Sequence, residues 1–393
     1  MILMITCLVL AVVPLLLLDQ MQWPLMVLLE GILAGLAGWL NRGYRKFIPL
    51  FLVAGILFFV GGEIFLRVRY FGLNGLSFDR CRPASYGHPW SAMRFSEATY
   101  TGLEPNSVMW FKGRRFSVNA DGFRGKTYLR PKPAGVYRLI LLGASATQGS
   151  GLKDTEVVTD VLEQMLNSTG LPLRVEVVNL SIGGSRAGEM LDCLREVGMS
   201  YQPDLILFCG NQSLIPAKEL EIKPRKIHAV DVPLWKKVTK KKYAFLASRF
   251  FFVDLLVQFR GGDINLMGQA LMAPMDAKSH SVEEGQKKNL ETCLRLIREA
   301  AGPTPVMLYL LRPISHLSQM HDGQDYRDYL KLRAADFSMS VLDTYTLDLR
   351  SYTEMDLIVY PGDKHPNAIV QRLYAEKMAE TLVPFIRQAV LNH

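Results

Sequence analysis

The sequence predicts a chain in two parts, a helical membrane anchor followed by an α/β domain. The N-terminal part holds three long apolar runs with few charges. From Tyr137 onward, short apolar segments that are typical of buried strands alternate with amphipathic segments that are typical of helices. This alternation favours a three-layer α/β/α sandwich around a mostly parallel sheet. A length of 393 residues accommodates one such domain and additional segments.

The apolar runs make up most of the anchor, which we predict over residues 1–69. They span residues 1–18, about 24–40 and about 47–66. At about 1.5 Å per helical residue, each run can cross or nearly cross a hydrocarbon layer of ~30 Å. The first run lacks the basic start and the small-residue cleavage site of a removable signal peptide, so we interpret it as a retained helix.

The loops between these runs predict the orientation of the chain. The loop 41–46 is basic, whereas the loop 19–23 contains no Lys or Arg. Because basic loops stay in the cytoplasm, three crossings place the C-terminal domain outside it, on the periplasmic side of a bacterial inner membrane. Arg67 and Arg69 after the third run oppose this orientation, and an i,i+4 ion pair between Glu63 and Arg67 would weaken their effect.

Glu30 is a carboxylate inside the second apolar run, where a charge is expensive and by default faces protein or water. It adjoins a stripe of small residues that would allow close helix packing, namely Gly31, Ala34, Gly35 and Gly38. The stripe could bind a membrane protein partner. With equal weight, Glu30 could be protonated or reached by water, and the glycines could pack only within this chain.

The rest of the chain divides into a cover segment, residues 70–134, and the α/β domain, residues 135–393. The cover segment is rich in aromatic residues, Gly, Pro and Arg without clear periodicity, so we predict an irregular or β-rich layer on the main domain. The predicted strands are Arg138–Leu142, Arg174–Asn179, Asp204–Cys209, Val306–Leu311 and Ser340–Asp343, and the predicted helices lie near Asp154–Asn167, Ala187–Met199, Val282–Ala300, Tyr326–Asp336 and Asn367–Ala389.

Residues able to do acyl chemistry follow the ends of several predicted strands. Ser145 follows the first strand in a Gly-Ala-Ser turn, Gly184 follows the second, and Asn211 follows the third. His365 precedes the last helix in an Asp-Lys-His-Pro-Asn segment, which is also consistent with a simple helix cap. Since the carboxyl ends of parallel strands share one edge, these residues can converge there. A nucleophile, a base and oxyanion donors are what acyl transfer requires.

The order and contexts of these residues resemble the SGNH (GDSL-like) hydrolase superfamily, from about Tyr137 to the C-terminus. The resemblance implies a flavodoxin-like sheet, with Ser145 as the catalytic serine and His365 as its base. It also implies an oxyanion hole formed by the N–H groups of Ser145 and Gly184 and by the side chain of Asn211.

Two positions depart from the family pattern. Ala144 precedes the serine where the family usually has Asp, and Gly362 stands where the family usually has the Asp three residues before the His. The nearest acid is Asp363, only two residues before His365, so we predict it as the third catalytic residue and leave that role open. The segment 117–124 resembles the lead-in to the first block in membrane-linked or secreted members of the family.

An insertion at about 213–278 supplies most of the net charge of +8. The stretch 243–259 within it is amphipathic or apolar, and it could form a cap with acyl or sugar subsites or rest on anionic lipid. An ordinary packed helix after a solvated basic loop has about the same weight. We expect no nucleic acid partner for an extracytoplasmic domain. The five cysteines show no metal or redox spacing, so we expect no metal and no cofactor.

Three functions fit this sequence. The first is a membrane-anchored extracytoplasmic serine esterase that removes an O-acyl group from a carbohydrate or lipid. The second is an O-acyltransferase that passes the acyl group from Ser145 to a polysaccharide hydroxyl beside a membrane partner. The third is a non-catalytic binding or assembly subunit, which Ala144 and the shifted Asp363 would fit.

Overall fold

The computed structural model describes residues 48–77, 93–95, 101–210, 284–312, 314, 324–360 and 363–391. The sequence-based predictions that lie outside these ranges concern the runs 1–18 and 24–40 with Glu30, the loops 19–23 and 41–46, Asn211, the insertion 213–278 and Gly362.

The described elements alternate between strands and helices over most of the chain. The helices are α1 (Ile48–Phe71), α2 (Ser145–Gln148), α3 (Val158–Ser168), α4 (Ala187–Glu196), α5 (Glu284–Ala301), α6 (Gln324–Asp336), α7 (Glu354–Leu357) and α8 (Ala368–Leu391). The strands are β1 (Met93–Phe95), β2 (Thr101–Leu103), β3 (Val108–Phe111), β4 (Arg114–Ser117), β5 (Val136–Leu142), β6 (Arg174–Asn179), β7 (Leu205–Cys209), β8 (Val306–Leu310), β9 (Ser340–Asp343), β10 (Ile358–Tyr360) and β11 (Asp363–Pro366).

Within the described residues, β5 to β9 form a five-stranded parallel sheet in the order β6-β5-β7-β8-β9. The register aligns Ile140 of β5 with Val178 of β6 and with Ile206 of β7. Every residue of β5, β7 and β8 is buried, which explains why these strands are nearly continuous apolar runs. The predicted parallel sheet is confirmed, and its strand order is the 2-1-3-4-5 order of flavodoxin-like folds.

Helices cover both faces of this sheet. α3 packs on β6 and against α8, whereas α4 packs on β5 and against α5. The crossover from β5 to β6 and the crossover from β6 to β7 run in opposite directions along the sheet, so right-handed connections put α3 and α4 on opposite faces. On α3, Val158, Leu162 and Leu166 recur every four residues and are fully buried, as the amphipathic pattern predicts.

The part of the cover segment that the structure describes contains two antiparallel pairs, β1 with β2 and β3 with β4. Lys112 and Gly113 join β3 to β4 with positive φ angles of 50° and 70°, as in a type I′ hairpin turn. Phe111 and Phe116 are buried in the main hydrophobic core, so this hairpin packs on the α/β domain.

Helix α1 corresponds to the third predicted apolar run and continues to Phe71. The predicted i,i+4 ion pair is present and buried: Arg67 Nε donates to Glu63 Oε1 at 2.5 Å, and Arg67 Nη1 donates to Gly75 O at 2.8 Å. Exposed apolar side chains follow the length of the helix, namely Leu50, Val53, Ile56, Leu57, Val60, Ile64 and Val68. Among the residues described, we find no helix with the length and apolar character needed to span a membrane. The three-helix anchor stays a prediction.

The C-terminal end of α1 contacts the α/β domain. Leu66 and Phe71 are buried in one apolar cluster with Val359 and Tyr360 of β10. The rings of Tyr70 and Tyr360 also meet edge to face, with 5.3 Å between their centroids. α1 therefore supports the strand pair β10–β11.

The structure corrects one predicted helix start and adds one pair of strands. The helix predicted at 154–167 begins only at Val158, after a 3₁₀ turn at Asp154–Glu156. The antiparallel pairing of β10 with β11 was not predicted. The helix-cap interpretation of the last segment is correct for Asn367, whose Oδ1 accepts a hydrogen bond from Ile369 N at 3.0 Å.

Candidate active site

Ser145 is the first residue of α2, a single helical turn that begins where the central strand β5 ends. The connection is tight at Gly143, where an added Cβ would collide with Thr147 Oγ1 and Tyr309 Oη. Tyr309 Oη donates a hydrogen bond to Leu142 O at 2.9 Å, so it cannot move away freely. Glycine at position 143 therefore lets the strand deliver Ser145 to the carboxyl edge of the sheet.

Buried side chains satisfy the carbonyl groups of α2, which a one-turn helix cannot bond internally. Gln371 of α8 donates to Ala146 O at 2.9 Å. Asn179 at the end of β6 donates to Thr147 O at 3.0 Å. Both donors are buried, and they hold the backbone that carries Ser145 against two neighbouring elements.

Arg124 of the cover segment binds the loop that follows α2. Its Nη1 donates to Gln148 O at 3.2 Å and to Gly149 O, and its Nη2 donates to Leu152 O at 2.6 Å. The guanidinium also pairs with Asp154 Oδ1 at 3.0 Å. Arg124 is only 2% exposed, so one buried cation binds three carbonyl oxygens between the end of α2 and Leu152.

His365 lies between Ser145 and Asp363. Its Nε2 is 2.8 Å from Ser145 Oγ, and its Nδ1 contacts Asp363 Oδ1. Asp363 and His365 both belong to β11 and are two residues apart, and alternate residues of a strand project to the same face. The unusual Asp-x-His spacing therefore points a carboxylate and an imidazole in the same direction, toward Ser145.

Asp363 is ionised at neutral pH. Burial alone would raise the pKa of its carboxyl group, but His365 and Lys112, which contact its two oxygens, outweigh burial and hold that pKa well below its usual range. A carboxylate at Nδ1 favours the imidazole tautomer that carries its proton there. We therefore assign the free lone pair to Nε2 of His365, facing the hydroxyl of Ser145.

Lys112, at the β3–β4 turn, contacts the other oxygen of Asp363. Its Nζ pairs with Asp363 Oδ2 and donates to Ser150 Oγ at 2.5 Å. The side chains of Lys112 and Asp363 are 3% and 4% exposed, and Nζ lies 4.6 Å from the ring centroid of Phe111. Lys112 was not predicted as a site residue, because a Lys-Gly pair predicts a turn but not the direction of the lysine side chain.

The Gly183–Gly184 turn lies beside Ser145, where a donor to an oxyanion is needed. An added Cβ on Gly183 would be 3.8 Å from Ser145 Cβ, and Gly183 N donates to Gln148 Oε1 at 3.0 Å. Gly184 has a φ angle of 82°, a conformation that favours glycine. Gln148 is buried, and its Nε2 has no hydrogen-bond partner within the part of the chain that the structure describes.

The structure thus brings Ser145, His365 and Asp363 together and sets Gly183, the residue before Gly184, beside Ser145. Asn211 lies outside the described residues. The strand before it, β7, ends at Cys209, and Gly210 N donates to Tyr309 O at 2.8 Å. This strand leads the chain to the same edge of the sheet as Ser145.

No protein-family model matches the chain, and no curated protein sequence matches it significantly. A lipase/acylhydrolase from Enterococcus faecalis is similar over 63% of this chain and 96% of its own, with 15% identity and a TM-score of 0.36. An acetyl xylan esterase is similar over 62% of this chain and 99% of its own, with 16% identity and a TM-score of 0.36. A psychrotrophic esterase from Pseudoalteromonas sp. is similar over 65% of this chain and 99% of its own, with 16% identity and a TM-score of 0.35. Similarity at this level says nothing about function, so the proposal below is based on the geometry of the site.

Proposed function

We propose that this protein is a serine ester hydrolase of the SGNH superfamily. The observation that carries the proposal is the distance of 2.8 Å between Ser145 Oγ and His365 Nε2, with Asp363 on the other side of the imidazole. The order of Ser145, Gly184, Asn211 and His365 along the chain supports the superfamily assignment. The flavodoxin-like strand order is consistent with it.

In the acylation step, the hydroxyl of Ser145 attacks the ester carbonyl while His365 Nε2 takes the hydroxyl proton. A bond forms between Oγ and the carbonyl carbon, and the carbonyl oxygen becomes an oxyanion. When this intermediate collapses, the bond to the leaving alcohol breaks and His365 returns the proton to that alcohol. Asp363 stays ionised throughout and stabilises the imidazolium.

In the deacylation step, a water molecule attacks the acyl carbon while His365 Nε2 takes a proton from it. The bond between Oγ and the acyl carbon then breaks, the carboxylic acid leaves, and His365 returns the proton to Ser145. The N–H groups of Ser145 and Gly184 and the side chain of Asn211 would hold the oxyanion in both steps. The hydrogen bond from Gly183 to Gln148 supports this role for the glycine turn, because a fixed donor needs no reorganisation when the charge develops.

For the location and substrate, we propose an extracytoplasmic domain tethered to a membrane that acts on an O-acyl group of a carbohydrate or lipid. The basic loop 41–46 and the apolar runs before α1 support the tether and its orientation. The row of exposed apolar side chains on α1 is consistent with contact to lipid or to the preceding runs. The basic insertion 213–278 is where we expect a sugar or an anionic lipid to bind.

An O-acyltransferase is the second candidate, since both reactions share the acyl-enzyme and differ in whether water or a sugar hydroxyl resolves it. Three apolar runs and the small-residue stripe beside Glu30 are more than a simple tether needs, which favours a membrane partner that supplies acyl groups. The third hypothesis, a non-catalytic subunit, is disfavoured by the contact between Ser145 and His365.

A fluorophosphonate probe on the purified full-length protein tests the serine mechanism. We expect labelling of the wild type and no labelling of Ser145→Ala or His365→Ala. Ser168→Ala serves as the matched control, because Ser168 is an exposed serine on α3 away from the site. A folded wild type that is not labelled, or a His365→Ala variant labelled at the wild-type rate, would refute the serine-hydrolase mechanism.

Turnover of a short-chain activated ester separates hydrolysis from transfer. A hydrolase should release acid continuously in water after a stoichiometric burst of alcohol. If the acyl-enzyme accumulates and breaks down quickly only when an oligosaccharide acceptor is added, with acylated sugar formed in step, transfer replaces hydrolysis as the proposed function.

A further inference from the structure

Lys112, which pairs with Asp363, has two energetically unfavourable features that an ordinary lysine in a turn avoids. A buried ammonium loses its hydration and is tolerated only when paired, and the side chain of Lys112 is 3% exposed. Its backbone has a φ angle of 50°, a left-handed conformation in which Gly, Asn or Asp is favoured. Two unfavourable features at one residue are typical of a functional position.

The contacts of Lys112 show what its side chain does at the site. It uses the oxygen of Asp363 that His365 does not use, so each oxygen of the carboxylate has its own partner. Its second partner is Ser150 of the loop after α2. Lys112 and Asp363 are 251 residues apart in the chain, and they link the cover segment to the strand that carries the base.

We propose that Lys112 is a positioning residue of the catalytic relay, which fixes the Asp363 carboxylate against His365 and offsets its negative charge. This inference rests on the proposed serine-hydrolase function. A carboxylate held from both sides cannot rotate away from Nδ1 of His365. Its charge is also balanced by the ammonium, so the imidazole meets a nearly neutral pair instead of a lone carboxylate.

The described groups around Asp363 and His365 indicate how Lys112 should affect the pH dependence of the reaction at Ser145. His365 faces Asp363 on its own strand, Ser145 on α2, and Lys112 only through the carboxylate. The groups that lower the pKa of Asp363 are His365 and Lys112. Arg124 also binds the loop after α2, but its guanidinium is balanced by Asp154. Among the described residues, Lys112 is thus the positively charged side chain that contacts the catalytic carboxylate directly.

The test is the pH dependence of Ser145 labelling by a fluorophosphonate in Lys112→Met and Lys112→Arg. In Lys112→Met we expect the acid limb of the rate profile to move to higher pH by about one unit, because a lone carboxylate stabilises the imidazolium. We also expect the plateau rate to fall about tenfold or more. Lys112→Arg should restore the position of the limb. Lys153→Met, which removes a lysine whose side chain is 60% exposed, is the matched control and should leave the profile unchanged.

An unchanged acid limb in Lys112→Met would overturn the proposal even if the plateau falls, because partial unfolding lowers the active fraction without moving its pKa. If Lys112→Met does not fold, the double variant with Asp363→Asn removes the unpaired carboxylate and gives a second test. That double variant should be no slower than Asp363→Asn alone, and a further loss would contradict the proposal.

Failure of the proposed function can be told apart from failure of this inference. A wild type that is never labelled refutes the serine mechanism and leaves the role of Lys112 to a measurement that needs no activity. That measurement is the NMR titration of the His365 imidazole in protein labelled at histidine, with His365→Gln used to assign its signal. A higher pKa of His365 in Lys112→Met supports the coupling, and an equal pKa contradicts it.

Discussion

Replacing Asp363 by Asn should cost far more than the loss of one negative charge, because of Lys112. The ammonium of Lys112 can only donate hydrogen bonds, so the single oxygen of an asparagine would turn toward it. The amide NH₂ would then face Nδ1 of His365 and donate to it. The imidazole proton would move to Nε2, and His365 could no longer take the proton of Ser145.

The size of this effect follows from the loss of the correct tautomer. In other serine hydrolases that loss costs on the order of 10⁴ in rate, which at 1.36 kcal/mol per tenfold is about 5 kcal/mol of transition-state stabilisation. The same tautomer error is expected for Asp363→Asn, since Asp363 Oδ1 is the described acceptor for Nδ1. Adding Lys112→Met frees the amide to turn its oxygen back toward His365, so the double variant should recover part of the rate.

Pre-steady-state release of alcohol from an activated ester measures the acylation rate directly. Asp348→Asn is the matched control, because this carboxylate is exposed and pairs with the neighbouring Arg350. If Asp363→Asn acylates within tenfold of the wild type, then Asp363 does not orient His365 and the tautomer reasoning is wrong.

Three further outcomes follow from the described contacts. Arg124→Met leaves three buried carbonyls and the charge of Asp154 without their partner, so we expect a loss of about 3–5 kcal/mol in the free energy of unfolding, measured with urea. Gln148→Leu frees the Gly183 peptide and should slow acylation about tenfold with little change in stability, which burst kinetics and urea unfolding measure together. The pKa of Asp363 is lowered in the folded protein, so its ionised form stabilises the fold above about pH 4 and this contribution is lost as the pH falls further. The difference in unfolding free energy between wild type and Asp363→Asn should therefore shrink between pH 5 and about pH 3, and a constant difference would contradict the assigned charge state.

The parallel sheet could be predicted because its signal is local. β5, β7 and β8 are buried on both faces, so each is a nearly continuous apolar run. Glycines follow β5, β6 and β7 within a few residues, and they mark the edge of the sheet where Ser145 lies. Ser145 and Gly184 were found in this way. The start of α3 was missed by a few residues because Asp154–Glu156 forms a 3₁₀ turn with the acidic composition of a helix start.

The role of Asp363 was left open because it depends on whether its segment is a strand or a loop, which the sequence does not indicate. In a loop, the direction of a carboxylate two residues before a histidine is undefined, whereas in a strand both side chains share a face. β11 is a strand because it pairs with β10, and β10 is only the three residues Ile358–Tyr360. So short an apolar run is too weak a signal for a strand. Lys112 was missed for a related reason, since its importance comes from a contact with a residue far along the chain.

The strand β11, which carries Asp363 and His365, depends in part on elements outside the α/β domain. Its partner β10 is supported by α1, where Leu66 and Phe71 share a buried apolar cluster with Tyr360, and each buried side chain of this kind contributes about 1.5–3 kcal/mol. The hairpin β3–β4 supports β11 directly, through the ion pair between Lys112 and Asp363. A two-stranded pair is marginal by itself in water, so the position of His365 relative to Ser145 is set by the packing of the cover segment and of α1. The two parts of the chain that precede the α/β domain therefore belong to the structure of the active site.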